Sequence, residues 1–424
     1  MKLFQQMLVA GATLSLLAPV AAQASDVVNL EEMNSYSRSR TQSSRLDSKT
    51  FINEVSEDIA NLKGRVDGLE VKQNEFEAGG FSDTTTLDGK AVFALMAPDH
   101  SKVKADGTDS LAAAYQYTMN LNSSFTGDDN LYVRLRAGNG SGNFTTKTFG
   151  TYLSMGTGYT DNLKVDKIWY TFPVGDDNTF WFGPKIENYY MHATTPSIYK
   201  PVTKQFTLRG NGDAYGASTD SGFGWAYKAD NGFAVSSNVV SKQNGTANGF
   251  LTNQAKTSWA TQVGYTTDQW SVSAILNQKY NGWTDGYYES AQHTPSTGVT
   301  NFTAIGLRGW WRPAETGIAT PAVSVGYDTT SHDGAPEASN NSTAWFAGLT
   351  WQDMFQADDR IGVAFGQPTT NEDETTDPFA YEAYYEFKAN DSITITPTVF
   401  GGSNRNGTSG DDIFGAVLQT TFKF

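Results

Sequence analysis

Apolar and polar residues alternate with a period of two through most of this chain, from Thr84 to Phe424. In "LYVRLRAG" (131–138) Leu131, Val133, Leu135 and Ala137 share one face, while Tyr132, Arg134 and Arg136 share the other. The same split recurs in "DQWSVSAILNQK" (268–279), "STAWFAGLTWQ" (342–352) and "SITITPTVF" (392–400). Successive side chains of a strand point to opposite faces, so each run reads as a strand with one apolar and one polar surface. The pattern predicts sixteen strands, near 84–96, 111–126, 130–138, 163–174, 178–187, 220–229, 232–242, 256–266, 268–279, 299–313, 321–330, 342–352, 358–367, 378–388, 392–400 and 411–424. The last, "FGAVLQTTFKF", carries Phe414, Leu418, Phe422 and Phe424 on its apolar side.

The connections alternate too. Short turns such as "GDDN" (127–130 and 175–178), "ADNG" (229–232), "TTDQ" (266–269) and "KANDS" (388–392) supply the Asp, Asn and Gly that hairpins need. Between them lie long loops at 97–110, 139–162, 188–219, 280–298 and 401–410. A soluble sandwich has no reason to separate short from long connections. An outer-membrane barrel does: its turns face the periplasm, its loops face outside and its strand number is even. Tyr170, Phe172, Tyr227, Phe233, Tyr265, Trp270, Trp311, Trp351, Tyr385, Phe387, Phe422 and Phe424 cluster near the turn ends, as an interfacial aromatic belt would. The fold expected is therefore an all-β, sixteen-stranded antiparallel transmembrane barrel over residues 81–424, with lipid outside and a wet lumen inside.

Before the barrel the pattern changes twice. Residues 1–24, "MKLFQQMLVAGATLSLLAPVAAQA", have an early lysine, a short apolar run and small residues before Ser25, and read as a secretory signal peptide. Residues 25–48 show no period and read as a polar linker. Ile52, Val55, Ile59, Leu62, Val66, Leu69, Gln73 and Phe76 are then spaced alternately three and four apart. That is a heptad seam, expected as a short periplasmic coiled coil over 49–78 that self-associates. Ile/Val opposite Leu leans towards two strands, but barrels assembling in threes make a homotrimer the expected state.

Charge refines the picture. The formal net charge is −15, which argues against nucleic-acid binding, and the chain has no cysteine. Strand parity nevertheless turns Lys90, Arg134, Arg136, Lys167, Lys185, Lys228, Lys279, Arg308 and Arg312 inward, against Asp88, Glu187, Glu382 and Glu386. Much of the acidic excess falls in connections such as "NEDETTD" (371–377), which reads as a solvated loop. Basic lumen walls favour anions, so a weakly anion-preferring pore is expected. The longest connection, 188–219, is expected to fold inward and narrow the passage with Lys200, Lys204, Arg209 and Asp213. Tyr132, Trp169 and Trp310 are inward aromatic candidates for sugar contact.

Other chemistries find little support. His100, His192, His293 and His332 all fall in predicted loops without metal-ligand spacing. With no histidine on an inward strand position, no nucleophile–base pair and hence no enzyme is expected. "GNGSGNF" (138–144) precedes no helix and lacks the phosphate-loop lysine. No cofactor or metal is expected.

The signal segment, "LKGRVDGLE" (62–70) and "FSDTTTLDGKAVF" (81–93) resemble the cyanobacterial outer-membrane porins. That family joins an S-layer-homology domain and a coiled coil to an OprB-like, carbohydrate-selective-porin barrel, and members are often labelled iron-uptake porins. The resemblance covers most of the chain and implies passive diffusion of small hydrophilic solutes and ions, carbohydrates among them, across the outer membrane. It implies lipid and lipopolysaccharide around the barrel and barrel-assembly machinery acting on the C-terminal strand. Residues 25–48 are too short for the S-layer-homology domain, so peptidoglycan anchoring is not carried over, and no ligand cluster or plug supports iron. The competing expectation is a structural tether, in which the barrel only anchors an envelope-bracing coil.

Overall fold

The computed structural model describes residues 59–70, 80–82, 84–100, 110–145, 152–206, 213–215, 219–242, 249–250, 252–283, 300–333 and 341–424. The chain divides into two units, Met1–Val71 and Lys72–Phe424. In the first, residues 59–70 form a helix on which Ile59, Leu62, Val66 and Leu69 are all exposed. The remaining seam positions Ile52, Val55, Gln73 and Phe76, with the expected signal peptide and linker, lie outside the described residues.

The second unit begins with a short strand, β1 (Gly80–Ser82), paired with the start of β2 (Thr85–His100). There follow β3 (Ala112–Ser123), β4 (Asn130–Gly138), β5 (Lys164–Val174), β6 (Asn178–Ile186), β7 (Asp220–Lys228), β8 (Phe233–Ser241) and β9 (Thr257–Thr266). The rest are β10 (Trp270–Tyr280), β11 (Asn301–Trp311), β12 (Ala322–Asp333), β13 (Asn341–Gln352), β14 (Arg360–Asn371), β15 (Phe379–Lys388), β16 (Ile393–Ser403) and β17 (Ile413–Lys423). Each strand from β2 pairs antiparallel with the next, and β17 returns to β2, closing a ring of sixteen. Closure leaves no open sheet edge, which is what a spanning sheet requires in lipid.

The pleat sorts the faces. Phe93, Leu95, Trp259, Val263, Val272, Leu276, Ile305, Leu307 and Val325 are exposed on the outer surface. Their chain neighbours Val92, Ala94, Ser258, Gln262, Ser271, Ala304 and Arg308 are buried within the ring. No helix among the described residues is long and apolar enough to cross a membrane.

The seam explains the C-terminal aromatic. The Gly89 N–H donates to the Phe424 carbonyl at 2.8 Å, and the Phe424 N–H returns a bond at 3.2 Å. Phe422 packs on Phe93 and Phe424 stacks on Tyr117, with centroids 5.2 and 5.8 Å apart.

Two expectations need correction. Strand β2 runs on to His100 and β12 to Asp333, so His100 and His332 are strand residues, both buried, and not loop residues. His332 Nε2 meets the buried Ser342 Oγ at 3.0 Å, and His100 Nε2 meets Asp411 Oδ1 at 2.5 Å.

Candidate functional site

The connection between β6 and β7 turns into the barrel. Its backbone is tied to inward-facing side chains of one strand after another: Ala193 N–H to Ser236 Oγ on β8 (3.1 Å), Thr194 N–H to Gln262 Oε1 on β9 (3.0 Å) and Ile198 N–H to Ser324 Oγ on β12 (3.1 Å). Trp310 on β11 donates its indole N–H to the Thr195 carbonyl at 2.9 Å. Small hydroxyl and amide side chains at these wall positions give the loop acceptors and donors where its own backbone has no ladder partner.

The segment ends at Glu382 on β15. This fully buried carboxylate accepts from the Tyr199 hydroxyl (2.7 Å), Val202 N–H (3.2 Å), Thr203 N–H (2.8 Å) and Thr203 Oγ1 (2.6 Å). Tyr199, Val202 and Phe206 pack there on Phe346, Ala364, Ala380 and Tyr384. A second inward connection, between β4 and β5, places Phe144, Leu153 and Met155 on Val92, Ala94 and Met96 of β2. The two are joined by a Ser154 N–H bond to the Val202 carbonyl, 2.8 Å.

Beyond this packing, the inward positions of β2 and β3 are polar, with Asp88 opposite Asn120 and Lys90 opposite Thr118. Arg134 and Arg136 face inward on β4, the latter donating from Nε to Thr118 Oγ1 at 3.3 Å. The register shifts between Arg134 and Leu135, where Arg134 opposes Lys167 but Leu135 opposes Val165. The extra residue is Asp166, and this bulge turns it inward to ion-pair with Arg134 and to sit 3.7 Å from Arg136. Tyr159 donates its hydroxyl to the same carboxylate. Lys167 pairs with Glu187. Beside them Tyr132, Trp169, Tyr190 and Tyr189 form a chain of rings with successive centroids 4.3, 4.6 and 4.4 Å apart.

The other expected site residues are scattered. Lys200 is exposed on the crossing loop, and Lys204 Nζ lies 5.2 Å above the Tyr152 ring. Arg209 and the Asp213 side chain lie outside what is described. Arg308 faces inward but is buried, paired with Asp328 at 2.7 Å and covered by Tyr215, so it does not line open water. Two residues depart from the expected lumen. A register shift between Gly183 and Ile186 sets Lys185 opposite the outward Ile168, exposed, with Nζ on the Val165 carbonyl. Arg312 follows β11 and bonds the Asp268 carbonyl of a short turn at 2.6 Å, at the rim.

Sequence reasoning missed Asp166 and Lys164, because a bulge leaves no parity signal. Asp328, Arg360 and Lys423 were within reach of parity. Arg360 faces inward on β14 and pairs with Glu386 at 3.0 Å. Among the described residues no group of acidic, histidine or cysteine side chains could hold a metal ion.

A closed sixteen-stranded barrel crossed by its third long loop is a porin architecture, and the comparisons agree. The profile of the carbohydrate-selective porin, OprB family matches residues 45–424. The chain belongs to the OprB porin family. An uncharacterized protein of Nostoc sp. is 25% identical over 426 residues, covering 88% of this chain and 71% of the relative. One from Synechocystis sp. is 25% identical over 405 residues, covering 82% and 70%. Among solved structures, Pseudomonas putida OprB superposes with a TM-score of 0.56 at 12% identity, covering 84% of this chain and 96% of that one. Vibrio cholerae OmpT does so at 0.51 and 12% identity, covering 81% and 99%. The two structures share the fold. This OprB-family chain is an outer-membrane porin channel, and its family and fold are of a non-enzymatic channel class.

Proposed function

We propose that this porin is a passive channel for small hydrophilic solutes and inorganic ions, with a weak preference for anions and passage for sugars. The observation that carries the reading is the cationic wall facing the lumen on β2, β4 and β5. Lys90 is exposed there, and Arg134 and Arg136 share the single carboxylate Asp166. A low-dielectric wall of one sign focuses its field into the water it encloses and raises the local concentration of the opposite ion. The half-buried Tyr132 and Tyr190, packed on the buried Trp169, support sugar passage: they sit beside the Asn120 and Arg134 polar groups, with Tyr132 donating to Asn120 at 2.8 Å and Arg134 to Tyr190 at 3.1 Å.

The test is single-channel current from purified protein in a planar bilayer under a salt gradient. Stepwise conductance with a reversal potential displaced towards that of chloride is expected. A displacement towards the cation would overturn the anion preference, and inserted, folded protein that passes no current would overturn the channel itself.

A further inference from the structure

The strand register places four cations on one diagonal of the lumen wall. Lys423 of β17 lies directly opposite Lys90 of β2, Lys90 opposite Thr118 of β3, Thr118 opposite Arg136 of β4, and Arg136 opposite Lys164 of β5. Directly opposed residues share a face of the sheet, so the inward position of Arg136 fixes that of the others. Five neighbouring strands about 4.8 Å apart make a row on the order of 19 Å long. Because barrel strands tilt by roughly 35–45°, a row running across them climbs the wall. It starts at Lys423, the penultimate residue on the turn side, and ends at Lys164, which follows the long β4–β5 loop.

No carboxylate lies on this row. Like charges set directly opposite in a sheet are destabilising, and Lys90 faces Lys423 in that way. The electrostatic neighbours of Lys90 are Arg136, Arg134 and Lys423, with Glu386 the attractive group. Among the described residues Lys90, Lys164 and Lys423 form no ion pair, and all three are exposed. Of the carboxylates nearby, Asp166 is engaged by Arg134, Arg136 and the Tyr159 hydroxyl, and Asp88, two residues from Lys90 on β2, accepts from the Asn120 and Asn122 side chains. With Lys90, Lys164 and Lys423 in no ion pair among the described residues, part of the counter-charge for the row must come from solution.

Building on the anion-preferring channel proposed above, we infer that this diagonal is a stepwise binding track for small dianionic oxyanions of the inorganic phosphate and sulfate type. A dianion gains twice the Coulomb energy of chloride at each station, and its oxygens accept hydrogen bonds from ammonium and guanidinium groups. Stations one or two strands apart let it engage the next cation before leaving the last, and several weak sites in series are what conduction requires.

The test measures chloride current through the full-length protein in a bilayer while chloride is replaced by sulfate, or by inorganic phosphate at alkaline pH, at constant ionic strength. Both oxyanions are expected to lower the chloride current by about threefold or more, saturating in the millimolar range. In Lys90→Gln/Lys423→Gln the half-saturating concentration, read against that variant's own current, rises by roughly tenfold, whereas Lys90→Arg/Lys423→Arg keeps the original value. Chloride current that ignores both oxyanions would overturn the track while leaving the channel standing. Undiminished block in the Gln variant would equally remove the row as its site. Loss of all current in the unaltered protein would instead be failure of the channel reading, and the track would fall with it.

Discussion

Asp129 closes the β3–β4 turn almost alone. It accepts from the Ser124 and Thr126 hydroxyls and the Phe125 and Thr126 N–H groups at 2.8–2.9 Å, and from the Tyr170 hydroxyl of β5 at 2.6 Å. Asp359 repeats the device in the β13–β14 turn, accepting from the Met354, Phe355 and Gln356 N–H groups and the Tyr385 hydroxyl of β15 at 2.8–3.1 Å. The Tyr170 hydroxyl is the main cause holding the Asp129 carboxyl well below its usual range, with the turn donors adding to it against burial. For Asp359 burial pushes upward, but the Phe355 and Met354 N–H groups and Tyr385 outweigh it and the carboxyl is lowered. A carboxylate depressed in the folded state stabilises fully above its unfolded value, about 3.9, and loses that contribution as pH falls through the folded value. Thermal unfolding in detergent is therefore expected to show a lower midpoint for Asp129→Asn/Asp359→Asn at neutral pH. The gap to the unaltered protein should close as pH drops below about 4. A gap that is constant with pH would refute ionised turn locks.

At the scale of elements, the seam between β17 and β2 is the place where one added methyl tests closure. A Cβ at Gly89 would lie 2.6 Å from Phe424 Cε2 and 2.6 Å from the Thr118 carbonyl oxygen. Gly89→Ala must displace either the terminal ring or strand β3, a cost of about 1–3 kcal/mol by analogy with overpacked cores. The expected outcome is a lower temperature for loss of the compact, heat-modifiable form on a gel. Gly309→Ala, whose Cβ would meet nothing nearer than 3.6 Å, should match the unaltered protein. Equal behaviour of the two variants would show that Phe424 does not hold the seam. The strands themselves were legible in the sequence because alternation is a local property, and the turns were legible from their Asp, Asn and Gly. The wall chemistry was less so. One inserted residue at Asp166 reverses the parity of Lys164, and the shift after Gly183 turns Lys185 outward, since a one-residue slip moves every following side chain to the other face. The pairing of Lys90 with Lys423 joins residues from the two ends of the barrel and needs the closed ring to be seen.

For the whole molecule, the decisive contact is the one that spans the lumen. The β6–β7 connection leaves the wall beside β5 and reaches β15, and Tyr199 meets Glu382 across 183 positions of sequence. In Glu382→Gln the amide nitrogen cannot accept, so it cannot replace the oxygen that takes both Thr203 N–H and Thr203 Oγ1. Each buried donor left without an acceptor costs about 1–3 kcal/mol. The apolar packing of Tyr199, Val202 and Phe206 remains, so the loop is expected to detach intermittently rather than leave the lumen. Two readouts follow from that. Single-channel records of the variant should show added open-channel noise with brief excursions to higher conductance. Trypsin should cut the folded variant at Lys204 faster than the unaltered protein, by roughly the tenfold that about 1.4 kcal/mol of extra opening implies. Quiet channels with unchanged trypsin resistance would mean that the wall contacts at Ser236, Gln262 and Ser324 suffice, and that Glu382 only fills its place on β15.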